Sequence, residues 1–478
     1  MPALPPTAAS QPRKAAVRKV PVGSNFIPFP VPSRRPRLAE NEIAGWIHRS
    51  ALFSLTDARG SAGLHSPTEL SAALMKRAIF FLASAISAHA QLAVKARTLF
   101  PMTGDLQPIK EAVVLCGPDG KIQRSGPAAE VPIPEGWKVI EAEVAIPGII
   151  DARTTVGLSG ALNWDRRDQE QLEPSAPIQP ELRAIDAFNG RDPLVTWVRE
   201  LGITTIHTGH APGALISGQL MVLKTNVPSV TRTDDTLSAF SAVAVTLGSG
   251  GFGGGGAPGT RAKSVAMLRA ELIKAQAYVK KLGQAEPDKR PERDLRLESL
   301  AAVLRKEVPF LITAERHHDI SAALRLREEF GFRLILDGAS EAYQLTDAIK
   351  AAGVPVLVHP VMGRPAGERE NTTFTLPAKL LAAGIPFALQ SGFESYVPKT
   401  RVVLFEAGMA AAYGLTRTQA LAAITIRPAE ILGLEKRIGS LEPGKDADLA
   451  LYSGDPLETV THCTGVIING KIAATGKR

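Results

Sequence analysis

Ala145-Ile-Pro-Gly-Ile-Ile-Asp-Ala-Arg-Thr-Thr-Val-Gly157 is the stretch that decides the fold of this chain. It contains an apolar run, Ile146 to Ile150, which predicts a buried strand, and it continues with the polar residues Asp151, Arg153 and Thr155. An arginine side chain keeps its proton at any ordinary pH and therefore cannot ligate a metal ion. If the strand ends at a functional site, its polar tail brings a fixed positive charge to that site.

The middle of the chain alternates strand-like and helix-like segments. Helical patterns separate the later strands, and several end at a glycine directly before the next strand, as helix C-termini prefer (Gly331, Gly353 and Gly384). Such units predict a parallel sheet with crossover helices. With Ile146–Ile150 the count is seven strands; the eighth is expected between residues 215 and 235, or hidden by a helical insertion at 260–306. The other six predicted strands are residues 203–208, 242–247, 309–313, 333–337, 354–359 and 386–390.

Short strands and turns occupy both ends of the region that follows residue 90. Val113–Cys116 is apolar and precedes a turn, and near the C-terminus Asp448–Tyr452 and Gly465–Lys471 have the same character. We therefore expect one small β-domain built from both ends. Its two cysteines, Cys116 and Cys463, could pair, although two separate thiols are the simpler expectation.

The first 90 residues have the composition of a leader. Residues 1–74 hold nine Lys and Arg against four Asp and Glu, so they carry +5 of the formal net charge of +8. The rest of the chain has no basic stripe interleaved with aromatic residues, so we do not expect nucleic-acid binding. Residues 75–90 contain the parts of a secretory signal peptide in order: Lys76 and Arg77, an apolar run from Ala78 to Ile86, and Ala88-His89-Ala90 as the cleavage site.

This order predicts that translation starts at Met75 and that the protein is exported to the periplasm or secreted. Residues 1–74 are then a mis-called extension, disordered if they are made at all. A start at Met1 would leave the protein in the cytoplasm. The apolar run is too short to span a bilayer, so no stable membrane span is expected, and the alternative is a buried or interfacial helix.

A second long motif lies near the C-terminus, at residues 427–450: Arg-Pro-Ala-Glu-Ile-Leu-Gly-Leu-Glu-Lys-Arg-Ile-Gly-Ser-Leu-Glu-Pro-Gly-Lys-Asp-Ala-Asp-Leu-Ala. Together with the stretch at 145–157 it resembles the amidohydrolase superfamily, and most closely its imidazolonepropionase-like branch, with Arg427 in place of the usual Asn. The resemblance implies an α/β fold: a (β/α)8 TIM-like barrel over 146–439 and a small β-sandwich from 91–145 and 440–478. It also implies hydrolysis of C–N bonds in small cyclic amides or dipeptides by a metal-activated water.

The same resemblance implies four histidines and one aspartate as metal ligands, and this chain has different residues at those positions. One loss could be a misalignment, but five losses predict that no superfamily-type metal site forms. No cofactor is therefore predicted, and zinc or another divalent metal would bind only if a different ligand set has been rebuilt. The five substituted positions are Arg153, Thr155, Thr313, Asp337 and Gly392.

Polar residues still follow several predicted strands, where a barrel has its active-site mouth. They are His207, Glu315, Asp337, His359 and Glu394. Three interpretations stay open: Arg153 pairs with Asp337 or Glu315 in a structural cluster; a metal binds a rebuilt set such as His207, His359 and Asp337; or His359 or His207 works with Glu315 in metal-free acid–base chemistry.

Two functional hypotheses follow from these interpretations. The first is a hydrolase of the amidohydrolase type that acts on C–N bonds, with a degenerate metal site. The second is a catalytically inactive pseudoenzyme that binds a small-molecule ligand, forms a homo-oligomer or pairs with an active relative.

Overall fold

The computed structural model describes residues 91–161, 169–252, 256–284, 286–394 and 400–476, and their strands form two sheets. The predicted extension at residues 1–74 and the predicted signal peptide at 75–90 lie outside the described residues. In chain order the strands are β1 (Leu92–Leu99), β2 (Ile109–Cys116), β3 (Ile122–Pro127), β4 (Lys138–Pro147), β5 (Ile149–Thr154), β6 (Ile203–Gly209), β7 (Ile216–Lys224), β8 (Ser238–Thr246), β9 (Phe310–Thr313), β10 (Leu334–Gly338), β11 (Val356–Val358), β12 (Phe387–Leu389), β13 (Leu449–Tyr452), β14 (Cys463–Ile468) and β15 (Lys471–Thr475).

The α-helices lie mainly between strands of the second half of the chain. Their apolar residues share one large buried cluster with the outward-facing residues of the barrel strands. None of the described helices is long and apolar enough to cross a bilayer. They are α1 (Ala184–Ala187), α2 (Pro193–Glu200), α3 (Arg261–Leu282), α4 (Leu295–Leu304), α5 (His317–Phe330), α6 (Thr346–Ala352), α7 (Leu376–Ala383), α8 (Val403–Ala412), α9 (Arg417–Ala422) and α10 (Ile426–Leu432).

An eight-stranded sheet in the order β12-β11-β10-β9-β8-β7-β6-β5 curls into a nearly closed barrel. Its two edges meet where Thr154 forms a bridge with Gly392, and the Gly392 N–H donates to the Arg153 carbonyl at 3.0 Å. This closure brings the C-terminal ends of the strands together. Seven of the eight strands contribute to a separate apolar cluster inside: Ala152, Leu220, Ala242, Ala244, Leu311, Ile335, Leu357 and Ala388.

The eighth strand expected between residues 215 and 235 is β7, and its direction differs from the prediction. β7 runs antiparallel to both β6 and β8, so the expectation of a uniformly parallel sheet is wrong at this strand. Only residues 210–215 connect β6 to β7. A parallel crossover needs a dozen or more residues, so this short connection can only turn the chain back.

The strand predicted at Ile146–Ile150 is divided between the two sheets, which corrects the prediction. β4 ends at Pro147, which pairs with β13, and β5 begins at Ile149. A Cβ atom on Gly148 would lie 2.1 Å from Thr204 Oγ1. Only glycine lets the chain pass so close to its neighbour at the point where it leaves one sheet for the other.

A seven-stranded sheet in the order β15-β14-β13-β4-β1-β2-β3 combines strands from both ends of the described chain. β4 is its junction, because it pairs in parallel with β1 and antiparallel with β13. The sandwich form expected from the resemblance stays a prediction. Cys116 and Cys463 are both free thiols in this structure.

Buried charges connect the two sheets. The Lys224 ammonium, on β7 of the barrel, donates to Asp446 Oδ2 at 3.0 Å and also to Asp448. Asp446 Oδ1 accepts from Lys121 at 2.5 Å, and its other oxygen accepts from Arg437 at 3.0 Å. Lys224, Asp446 and Asp448 are each 5% exposed or less, so these ion pairs are shielded from water. The two aspartates of the Gly-Lys-Asp-Ala-Asp-Leu segment therefore join barrel to sheet.

Candidate functional site

A small cavity lies where the C-terminal ends of five barrel strands converge. Its volume is about 60 Å³, which holds on the order of four water molecules. All five substituted ligand positions line it, together with Glu315 and His359. The full lining is Arg153, Thr154, Thr155, Pro212, Thr313, Glu315, Asp337, Gly338, His359, Arg369, Gln390, Gly392 and Phe393.

Arg153 brings a buried guanidinium to this cavity. It is 2% exposed, and it donates to the backbone carbonyls of Thr154, at 3.2 Å, and His210. Its Nε has no hydrogen-bond partner, and no carboxylate among the described residues lies within 4.0 Å of it. Burial lowers the pKa of Arg153, while the charges of Asp337 and Asp151 oppose that change. The expected ion pair of Arg153 with Asp337 or Glu315 is therefore not a direct contact.

Asp337 is held by neutral donors instead. Its Oδ2 accepts from the Thr313 hydroxyl at 2.5 Å, and its Oδ1 accepts from the Gln390 amide at 2.5 Å. These contacts join the ends of β9, β10 and the residue after β12. Two of the five substituted positions thus form a hydrogen-bonded pair rather than a ligand pair.

Glu315 is the half-buried carboxyl on the other side of the cavity. Its Oε2 accepts from the Ser340 hydroxyl at 2.6 Å, and its Oε1 lies 3.8 Å from the Arg369 Nε. Burial raises the pKa of Glu315 to about 7, although the Ser340 hydrogen bonds and the Arg369 charge oppose the rise. A carboxyl with this pKa exchanges its proton near neutral pH, which suits acid–base chemistry.

The ring of His359 fills the place next to Gly392. A Cβ atom on Gly392 would lie 2.3 Å from His359 Nε2, and the φ of Gly392 is +67°. Neither ring nitrogen of His359 has a hydrogen-bond partner among the described residues, and Nε2 lies 3.6 Å from Glu394 Oε1. Burial, with the charges of Arg369 and Arg401, lowers the pKa of His359 to about 3, so the ring is neutral.

Asp151 and Thr155 are both engaged in local hydrogen bonds. Asp151 accepts from the backbone N–H of Ser391 at 2.9 Å and from the Ser391 hydroxyl, which joins β5 to the segment after β12. Burial raises the pKa of Asp151 to about 6, and those hydrogen bonds oppose the rise. The Thr155 hydroxyl lies 2.6 Å from that of Ser159. Asp151 therefore helps to close the barrel, and Thr155 holds the loop that follows β5.

Two of the candidate residues are not part of the cavity lining. Both ring nitrogens of His207 are used, since Nδ1 lies 2.8 Å from the Ala152 carbonyl and Nε2 lies 2.9 Å from the Ser241 hydroxyl. A carbonyl can only accept, so Nδ1 carries the proton. Burial and the Arg153 charge lower the pKa of His207 to about 3. Glu394 pairs with Arg401 at 2.5 Å.

The residues present do not fit a metal ion of the superfamily type. Within the described residues, no three His, Cys, Asp or Glu side chains converge as ligands. The rebuilt set of His207, His359 and Asp337 does not assemble, because His207 points both nitrogens at other partners and lies outside the cavity. The guanidinium of Arg153 would also repel a cation there.

Sequence reasoning missed three residues of this site. Arg369 comes from the loop after β11, Gln390 follows β12, and Ser340 follows β10. Gln390 directly follows β12 and Ser340 is the second residue after β10, so a search for polar residues at strand ends could have found both. No pattern in the sequence marks Arg369, which reaches the cavity only through the conformation of its loop.

Comparison with known proteins gives matches over different parts of the chain. The model of the Amidohydro_3 amidohydrolase family matches residues 333–474. The amidohydrolase tasK of Hapsidospora irregularis is 26% identical over 377 residues, which cover 70% of this chain and 37% of that protein. An imidazolonepropionase of Rhizorhabdus wittichii is 38% identical over 74 residues, or 15% of this chain and 18% of that one. The chain thus spans well under half the length of these relatives.

A solved structure matches more of the chain. The crystal structure of an amidohydrolase from Thermotoga maritima superimposes with a TM-score of 0.72 at 28% identity. The match covers 80% of this chain and 100% of that one. The nearly closed barrel is therefore of the kind found in that protein.

Proposed function

We propose that this chain, which belongs to the amidohydrolase superfamily, is a metal-free member that serves as a binding or partner subunit rather than as a hydrolase. The observation that carries the proposal is the buried Arg153 guanidinium, at the position where the resemblance implies the first metal-binding histidine. A guanidinium supplies positive charge and N–H donors, but it cannot coordinate a water and lower its pKa as a metal does.

The rest of the cavity supports the same proposal. The Thr313 hydroxyl donates a hydrogen bond to Asp337, and the His359 ring occupies the space beside Gly392. The remaining cavity volume of about 60 Å³ is far below that of a usual ligand pocket. The mouth is filled by the protein's own side chains. Binding at another surface, to a second copy or to an active relative, is the role that such a scaffold can still perform.

A second candidate is metal-free hydrolysis of a C–N bond, and one observation favours it. Glu315, with a pKa of about 7, lines the same cavity as Arg153. Glu315 would take a proton from the attacking water, and the Arg153 guanidinium would stabilise the oxyanion formed on the carbonyl. When the oxyanion collapses and the C–N bond breaks, Glu315 would pass that proton to the leaving nitrogen.

Metal analysis and a hydrolysis panel on the purified full chain separate these candidates. We expect far less than one equivalent of zinc or another divalent metal per chain, and no turnover of cyclic amides or dipeptides. Stoichiometric zinc that is lost in His359→Ala or Asp337→Ala would overturn the metal-free proposal. Turnover without metal that is lost in Glu315→Gln, but kept in Glu328→Gln on the surface of α5, would establish the second candidate instead.

A further inference from the structure

A basic groove crosses the opposite end of the barrel, where the strands begin. It consists of two adjoining depressions of about 250 and about 330 Å³ that share Gly353, Pro355 and Ile431. Apolar side chains, including Phe332 and Phe387, form part of its floor. Four cations line it: Lys306, Arg327 and Arg333 in the first depression and Arg427 in the second.

These four cations are unpaired within the part of the chain that the structure describes. None of the four has an ion pair or a side-chain hydrogen bond with a described residue, although Arg327 and Arg427 are half-buried. Glu430 is the one carboxylate among the described residues that line the two depressions, and it is exposed. The groove therefore carries an uncompensated positive charge.

Stabilisation of helix ends accounts for only some of these cations. Arg327 lies in the last turn of α5, and Lys306 follows the end of α4, where a cation interacts favourably with the helix dipole. Arg427 is different, because it lies in the first turn of α10, where the dipole disfavours a cation. A half-buried arginine that has no partner among the described residues and gains nothing from its own helix is available to an external anion.

We propose that this groove binds an acidic peptide segment of a partner protein. Four cations spread along an open, partly apolar groove match carboxylates spaced along an extended chain. A compact phosphate is disfavoured in the first depression, because the helix ends that line it, at Gly331 and Gly353, are C-termini without free N–H groups. The groove is independent of the cavity at the other end of the barrel.

Fluorescence anisotropy of a labelled deca-glutamate peptide tests the proposal on the full chain. Arg427→Glu and Arg333→Glu should each weaken binding about fivefold or more, and added salt should weaken it further. Arg325→Glu is the matched control, because Arg325 is exposed on α5 and does not line the groove. It makes the same change in net charge and should alter binding less than twofold, roughly the effect of a distant surface charge.

Three results would overturn the proposal. The peptide could fail to bind at low salt, Arg325→Glu could weaken binding as much as the groove variants, or inorganic pyrophosphate could displace the peptide at micromolar concentration. The last result would identify a phosphate site. Arg333→Gln, at an exposed position, keeps the test valid if Arg427→Glu does not fold, and thermal unfolding of each variant shows which ones do.

Discussion

The contact between His359 and Gly392 shows how one substitution constrains another. The resemblance makes position 392 that of a metal-binding aspartate, but the ring of His359 now occupies the space into which any side chain there would project. Gly392 also has a φ of +67°, a conformation that favours glycine. An aspartate at position 392 would therefore collide with the His359 ring and strain the backbone.

The first prediction concerns this contact. Gly392→Ala should lower the free energy of unfolding by about 3 kcal/mol, because it adds overpacking to backbone strain. Gly331→Ala is the matched control: Gly331 has a φ of +73°, and a Cβ atom added there would meet nothing within 4 Å beyond its own chain neighbours. It should cost only about 1 kcal/mol. Urea unfolding of both variants measures the difference.

A double variant isolates the steric part of the stability loss caused by Gly392→Ala. In a His359→Ala background the ring is gone, so Gly392→Ala should cost only about 1 kcal/mol, which is the contribution of the strained backbone. An undiminished cost in that background would mean that the ring does not oppose the added methyl group. Equal costs for Gly392→Ala and Gly331→Ala in the natural background would have the same meaning.

Glu315 gives a prediction on pH. Its pKa rises to about 7 in the folded state, so between the unfolded value of about 4.5 and 7 the folded protein binds more protons than the unfolded one. The contribution of Glu315 to stability is therefore most favourable at low pH and declines as pH rises through that window. Glu315→Gln should be more stable than the natural protein by about 1–3 kcal/mol at pH 8, and the difference should shrink toward pH 5.

Denaturant unfolding of both proteins at several pH values checks the sign. Glu328→Gln, on the exposed surface of α5, is the control for loss of a carboxylate and should show no such pH-dependent difference. A stabilisation by Glu315→Gln that grows as pH falls would contradict the raised pKa.

At the scale of elements, the hydrophobic pattern of the sequence and the polar residues at strand ends could predict most barrel strands and several residues of the cavity. The predicted runs at 309–313 and 333–337 correspond to β9 and β10, and their ends bring Thr313 and Asp337 into the cavity. The direction of β7 could not be read from composition, because its residues are buried throughout like those of a parallel strand. Contacts made by loops, such as that of Arg369, depend on long-range geometry that no local pattern encodes.

The junction between the two sheets gives an element-scale prediction. Lys224→Met leaves Asp446 and Asp448 buried without their shared cation, so the free energy of unfolding should fall by about 3–5 kcal/mol. Lys121→Met removes a cation whose side chain is 38% exposed and which binds only Asp446. That loss should cost about 1 kcal/mol or less.

Chemical denaturation of the two lysine variants tests this assignment. Equal and small effects would show that the aspartates do not depend on the buried cation. A loss in Lys224→Met that is larger by several-fold than in Lys121→Met would identify Lys224 as the charge that joins β7 to the segment before β13.

At the scale of the whole molecule, the two ends of the barrel have opposite characters. At the C-terminal end of the strands, Arg153 and the surrounding side chains fill a cavity of about 60 Å³. At the N-terminal end, an open groove is lined by four cations that have no ion pair with any described residue. This contrast between a nearly filled cavity and an open charged groove is what the proposed binding role predicts.

The last prediction concerns the start of the mature chain, since the predicted signal peptide at residues 75–90 lies outside the described residues. β1 is an interior strand between β4 and β2, and the Gln91 carbonyl accepts from the Lys138 N–H at 3.1 Å. Cleavage after Ala90 would therefore keep every strand of this sheet. We expect N-terminal sequencing of protein made in its native host to find Gln91 as the first residue. Ala88→Glu should block cleavage and leave the precursor, because signal peptidases need a small residue there. A mature protein that begins at Met1 would refute export.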